Sequence, residues 1–141
     1  MNRPTRHAFS LTDTVNVILL LGIVVTLAAP RLWDRTTAAE QAITRRQLSV
    51  LRQAIAIYEE RTGSYPPIHA LPASLDGILQ GPFPAPVVGS ARGDHGVYYD
   101  SDDDADKPVQ PDPDQPGGWA YKPANGALQL NLGASEIGAD W

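Results

Sequence analysis

The stretch FSLTDTVNVILLLGIVVTLAAP occupies Phe9–Pro30. From Val15 to Ala29 only Asn16 and Thr26 are clearly polar. The 21 residues that precede Pro30 span about 30 Å as a helix, the thickness of a bilayer core. Yet Asp13 stands near the start. A carboxylate at the centre of a membrane helix costs about 2.5–3.5 kcal/mol on insertion scales. How this segment is read decides the fold.

To its N-terminal side, Met1–Ala8 is short, polar and basic, with Arg3 and Arg6. Basic residues before an apolar run and an acidic domain after it place the N-terminus in the cytoplasm. A cleaved secretory signal is one reading, with Ala28 and Ala29 near the cut. Pro30 just after that cut opposes it, as does Asp13 between the basic and apolar regions. A plain membrane anchor on a periplasmic binding module that never polymerises is a second reading. It leaves Asp13 without a role.

The third reading rests on spacing. Ala8 is small, Phe9 is aromatic, and Asp13 is the fifth residue counted from Phe9. Gly22 is the fourteenth and Pro30 the twenty-second. This pattern resembles the N-terminus of type IV pilins and of type II secretion pseudopilins. There a Gly precedes Phe-Thr-Leu-Ile-Glu, an apolar run and a Pro. Phe9, Leu11, the acid, Gly22, Ile23, Ala28, Ala29 and Pro30 match in register. Ala8 replaces the usual Gly, Asp13 the usual Glu, and Thr12, Thr14 and Asn16 replace aliphatic residues.

The resemblance implies a prepilin peptidase cutting between Ala8 and Phe9 and methylating the new Phe9 amine. It implies an inner-membrane, single-pass subunit with a periplasmic C-terminal domain. That subunit later enters a filament with copies of itself and other pseudopilins. An inner-membrane assembly platform and the lipid bilayer are its further partners. Asp13 would pair with a subunit's N-terminal amine, and a charge in an apolar surround is tolerated when paired. Gly22 and Pro30 would belong to the assembly helix.

Beyond Pro30, residues 31–62 read as an amphipathic continuation. Leu48, Leu51, Ile55 and Tyr58 recur at spacings of three and four, and Val50, Ala54 and Ile57 widen the stripe. Arg45, Arg52 and Glu59 mark the polar side. Gly63 is a good C-cap. Thirteen prolines and twelve glycines, concentrated after residue 62, make the remainder, 63–141, loop-rich. Leu71–Leu79 is expected to form a short helix. GVYY at 96–99, GWAY at 118–121 and ALQLNL at 127–132 read as strands, with PANG at 123–126 as a turn. The expected fold is α+β and pilin-like: a long N-terminal helix with a membrane-spanning first half, packed on a small antiparallel sheet. Its parts are a leader at 1–8, an assembly helix at 9–30, the continuation at 31–62 and a globular part at 63–141. GGWAYKPANGALQLNL and LRQAIAIYEERTGSYPP also resemble pseudopilin segments.

Charge is divided along the chain. Residues 1–62 carry eight Lys/Arg and five Asp/Glu, a net of +3; residues 63–141 carry three and eleven, a net of −8. An acidic C-terminal half opposes nucleic-acid binding. The absence of cysteine removes disulfides and thiolate chemistry. No enzyme constellation emerges: His7, His69 and His95 lack metal-ligand spacing, and Ser90 is not in a nucleophile elbow. Arg92-Gly93-Asp94 spells an adhesion tripeptide of a length that recurs by chance.

The most chemical stretch is YYDSDDDADKP. Asp100, Asp102 and Asp104 take positions one, three and five of a calcium-loop pattern, which then fails at Ala105 and Pro111. It is not an EF-hand. A solvated acidic loop is the plain reading. Calcium held by these three is the alternative, because major pseudopilins carry calcium in a C-terminal loop. No other cofactor is expected.

Overall fold

A computed structural model describes residues 11–141, without the side chains of 25–35. Ala8 and Phe9 lie outside the described residues. The element order is a 52-residue helix α1 (Leu11–Thr62), a 3-10 turn (Ala73–Leu75), and strands β1 (Val97–Tyr99), β2 (Trp119–Lys122) and β3 (Ala127–Leu130). The chain divides into two compact units, one up to Ala38 and one of Ala39–Trp141.

The expected architecture is corrected in two respects. First, no helix among the described residues is long and apolar enough to cross a membrane, so the membrane-spanning first half is not shown. The physical reason lies in the opening turns of α1. Thr12, Asp13, Thr14 and Asn16 interrupt them.

Second, the sheet is mixed. β2 pairs antiparallel with β3, but β1 runs parallel to β2, Val97 opposite Trp119 and Tyr99 opposite Tyr121. Parallel neighbours need a connection of a dozen or more residues. The segment between Tyr99 and Trp119 supplies 118 − 99 = 19. The β2–β3 hairpin needs only residues 123–126, where Gly126 takes φ 69°.

The unit Ala39–Trp141 has one hydrophobic core. Leu48, Leu51, Ala54 and Ile55 of α1 are buried against Trp119, Tyr121, Leu128, Leu130 and Leu132. Spacings of three and four align one helix face, and two-residue alternation aligns one sheet face. Val50 departs from the expected stripe and is 45% exposed. α1 ends where Gly63, at φ 77°, donates its N–H to the Glu59 carbonyl at 2.7 Å. The expected helix at Leu71–Leu79 shrinks to a single 3-10 turn. Pro72 sits at its start, and Gly77 takes φ 83° just past its end.

The polar atoms of three core aromatics are matched. Trp119 Nε1 donates to the Pro84 carbonyl at 2.9 Å, and the Tyr121 hydroxyl donates to the Pro66 carbonyl at 2.9 Å. Tyr99 both accepts from Leu71 N–H and donates to Leu71 carbonyl oxygen. Burial raises the Tyr121 hydroxyl above its ordinary range, so it stays a neutral donor.

Two glycines bring backbone to backbone before β2. A Cβ on Gly117 would meet Tyr98 N at 2.6 Å, and one on Gly118 would run into the Asp94 carbonyl oxygen. Neither obstacle is a movable side-chain tip. Gly118→Ala is therefore expected to lower stability by about 1–3 kcal/mol, the usual range for overpacking. Urea unfolding of the full chain checks it, and a midpoint within error of the parent would contradict the close approach.

Candidate functional site

Two regions carry the sequence-level candidates. The first is the opening of α1. Leu11, Val15, Val17, Ile18, Leu19, Leu20, Leu21, Ile23 and Val24 are each between 48% and 85% exposed. From Val17 to Val24 these side chains form a contiguous exposed apolar surface, larger than a soluble chain ordinarily leaves open. Asp13 lies in the first turn of α1. An acid there interacts favourably with the helix N-terminus, by about 0.3–1 kcal/mol. Gly22 falls within the apolar run, and a Cβ there would meet nothing within 4 Å. Pro30 is inside α1, and its side chain is outside the described set.

The second region is the loop after β1. The structure brings Asp100, Asp102 and Asp104 into one chain of turns. Asp100 Oδ1 accepts from Asp102 N–H, Asp102 Oδ1 from Asp104 N–H, and Asp104 Oδ1 from Asp106 N–H, at 3.0, 3.0 and 3.1 Å. A two-residue aspartate spacing suits this ladder, since Asp side chains readily bond backbone two residues on. It is the same spacing that imitates a calcium loop.

The remaining oxygens are also engaged. Asp100 Oδ2 accepts from Gln110 N–H at 2.9 Å. Lys107 Nζ lies 3.1 Å from Asp102 Oδ2 and 3.4 Å from Asp104 Oδ2. Asn125 Nδ2 donates to the Ala105 and Lys107 carbonyls, tying the loop to the β2–β3 turn. The Asp104 N–H, then Lys107, hold the Asp102 carboxyl below its ordinary range.

A calcium ion takes several convergent oxygens. Here the oxygens turn back onto the loop's own amides and lysines. Among the described residues, no group of three or more His, Cys, Asp or Glu side chains is placed to hold a metal. As arranged, Asp100, Asp102 and Asp104 do not fit that ion.

No family model, curated protein or solved structure matches this chain.

The other chemical-looking residues serve the fold. His69 packs edge-on to Tyr99, and His95 Nδ1 lies 2.9 Å from the Phe83 carbonyl. Arg92 pairs with Glu40 of α1 at 2.5 Å. Asp94 accepts from Gly96 N–H and Gly117 N–H, so the Arg-Gly-Asp string is bound into the approach to β2. His7 lies outside the described residues.

Three side chains were not legible as contacts. Arg52, read as part of a polar face, donates to the Leu128 and Trp141 carbonyls at 3.0 and 2.7 Å. Arg45 sits 4.3 Å over the Trp141 ring. Lys122 is fully buried. The first two needed the position of Trp141, which local spacing does not give.

Glu136 clamps a loop. Its carboxylate accepts from Ser90 N–H and hydroxyl, both at 2.8 Å, and from Gly133 N–H at 3.1 Å. These donors, those of Ser90 first, hold its pKa below the ordinary 4.5. Stability from a depressed carboxyl is complete above the unfolded pKa and is lost as pH falls through the folded one. Glu136→Gln should unfold at lower denaturant than the parent at neutral pH, and the two should converge in acid. Unfolding midpoints measured against pH test this, and parallel curves would contradict it.

Proposed function

We propose that this chain is a pilin-like structural subunit of a type II secretion pseudopilus or type IV pilus-like filament. Its work is assembly, not catalysis. The observation that carries the reading is the exposed apolar surface over Leu11–Val24, with Asp13 at its start. That surface belongs to the same helix that enters the closed core of Ala39–Trp141. Contiguous apolar surface of this kind marks an interaction site. Copies of the same chain or sister subunits would cover it.

On this reading the leader is removed between Ala8 and Phe9 by a prepilin peptidase, which methylates Phe9. Asp13 then pairs with a subunit's N-terminal amine, which fixes the register between neighbours. Assembly takes place at the inner membrane on its assembly platform, with Ala39–Trp141 on the periplasmic side. Replacing Ala8 by a bulky residue tests the reading. Ala8→Trp should leave the chain at its unprocessed mass and outside any filament. An unchanged mass distribution and normal assembly would overturn it.

A further inference from the structure

α1 carries a second stripe beside the one that enters the core. Ile43, Gln47, Val50, Ala54 and Ile57 recur at spacings of four and three. Each directly precedes a residue that turns into the fold: Thr44, Leu48, Leu51, Ile55 and Tyr58. One residue along an α-helix is a rotation of about 100°, so the two stripes run side by side. The first packs into the core. The second lines an open groove of about 630 Å3, and Ile78, Leu79 and Pro82 form its other wall. Ile43 is 49% exposed there and Val50 45%.

Gln47 stands in the middle of this second stripe. Its Oε1 is buried and has no hydrogen-bond partner among the described residues. A buried acceptor left unmade is costly, and a donor brought to it removes the cost. Alternating spacings of four and three are those of the seam between two packed helices. A helix laid in an apolar groove uses the same anchors. One polar residue in such a seam fixes which residues face one another.

A second copy of this chain is the helix that answers each position. Its Gln47 brings amide N–H donors to the orphan Oε1 and accepts a bond in return. Its Ile43, Val50 and Ile57 meet their own equivalents, which is an isologous contact. Direction follows from Gln47. Parallel helices set Gln47 against Gln47, whereas an antiparallel pair centred on Val50 sets it against Ala54, whose side chain has no donor. The exposed apolar surface of Leu11–Val24 lies on the same helix, so copies gathered through it bring α1 beside α1.

We propose that α1 pairs in parallel with α1 of a second copy along Ile43, Gln47, Val50, Ala54 and Ile57, with Gln47 against Gln47 setting the register. The proposal rests on the assembly reading, to which it adds a specific contact between subunits. It also accounts for an apolar face wider than one core needs.

Site-directed cross-linking tests it, since the chain has no cysteine of its own. Val50 and Ser49 are both exposed and point about 100° apart on α1. Full-length Val50→Cys and Ser49→Cys are oxidised in native membranes and resolved on non-reducing gels. Val50→Cys should form a product of twice the subunit mass at least tenfold more than Ser49→Cys. Equal yields from the two, or a product of Val50→Cys with another protein, would overturn the proposal. Co-expressed Ile43→Cys and Ile57→Cys should each cross-link to themselves, and a predominant 43–57 product would overturn the parallel register. Val50→Lys places like charges in the seam and should lower the Ile43→Cys product at least tenfold; an unchanged yield would overturn the seam. Intact mass of the same samples reads cleavage between Ala8 and Phe9. Cleaved subunits that assemble without a Val50→Cys product would overturn the seam and leave the filament reading standing. Uncleaved chains that still cross-link at Val50→Cys would overturn the filament reading and uphold the seam.

Discussion

If the proposed assembly reading holds, Asp13→Ala should leave cleavage between Ala8 and Phe9 in place and lower filament assembly by about a hundredfold or more. The magnitude separates two roles for the same carboxylate. Asp13 lies in the first turn of α1, where interaction with the helix N-terminus is worth about 0.3–1 kcal/mol. Losing only that would reduce assembly by a factor of about two to five, since 1.4 kcal/mol is tenfold. Removing one partner of a buried ion pair costs about 3–5 kcal/mol, because the other charge is left uncompensated. That corresponds to a loss of about two to three and a half orders of magnitude. Asp13→Glu should assemble, because it keeps the charge and adds reach. Cross-linked oligomers in native membranes, quantified against total processed subunit, give the ratio. Normal assembly of Asp13→Ala would remove the reason for a charge in this segment.

Trp119→Ala should lower the unfolding free energy by about 3–5 kcal/mol, the usual cost of emptying a buried aromatic position. Total stability for a domain is about 5–15 kcal/mol, so this one change threatens folding. Trp119 is fully buried on the central strand, between Val97 and Leu130. The truncation also deprives the Pro84 carbonyl of the indole N–H. Val50→Ala is the control. That side chain is 45% exposed, and its loss should change stability by well under half as much. Urea unfolding of both variants decides it. Equal, small effects would mean that the core is not organised around β2.

The contrast between Trp119 and Val50 shows what the sequence makes legible. Leu48, Leu51 and Ile55 declare one helix face through their spacing, and all three are buried. Leu128, Leu130 and Leu132 declare one sheet face in the same way. The turn at 123–126 is carried by an Asn-Gly pair, and Gly126 takes the positive φ that pair permits. These signals are local. Val50 lies beside the stripe, and only the position of neighbouring segments decides that it stays exposed.

The errors share that origin. Val97–Tyr99 has the composition of a strand in either direction, and its parallel partner is set by the 19-residue connection (118 − 99) that follows it. The apolar run of Phe9–Pro30 reads as a membrane span by length, whereas the described part is broken by polar residues in its first turns. Nothing in the sequence marks Lys122 as buried, because lysine is almost never fully buried unless paired. Its burial depends on a loop that closes over the second face of the sheet. The aspartate spacing carried real information, but for turns that bond their own backbone as readily as for a metal.

The assembly account depends on one covalent event. Intact mass spectrometry of the protein isolated from native membranes reads it directly. The account predicts a chain that begins at Phe9 and carries one added methyl group. A chain that retains Met1, or one cut near Ala28, would contradict it.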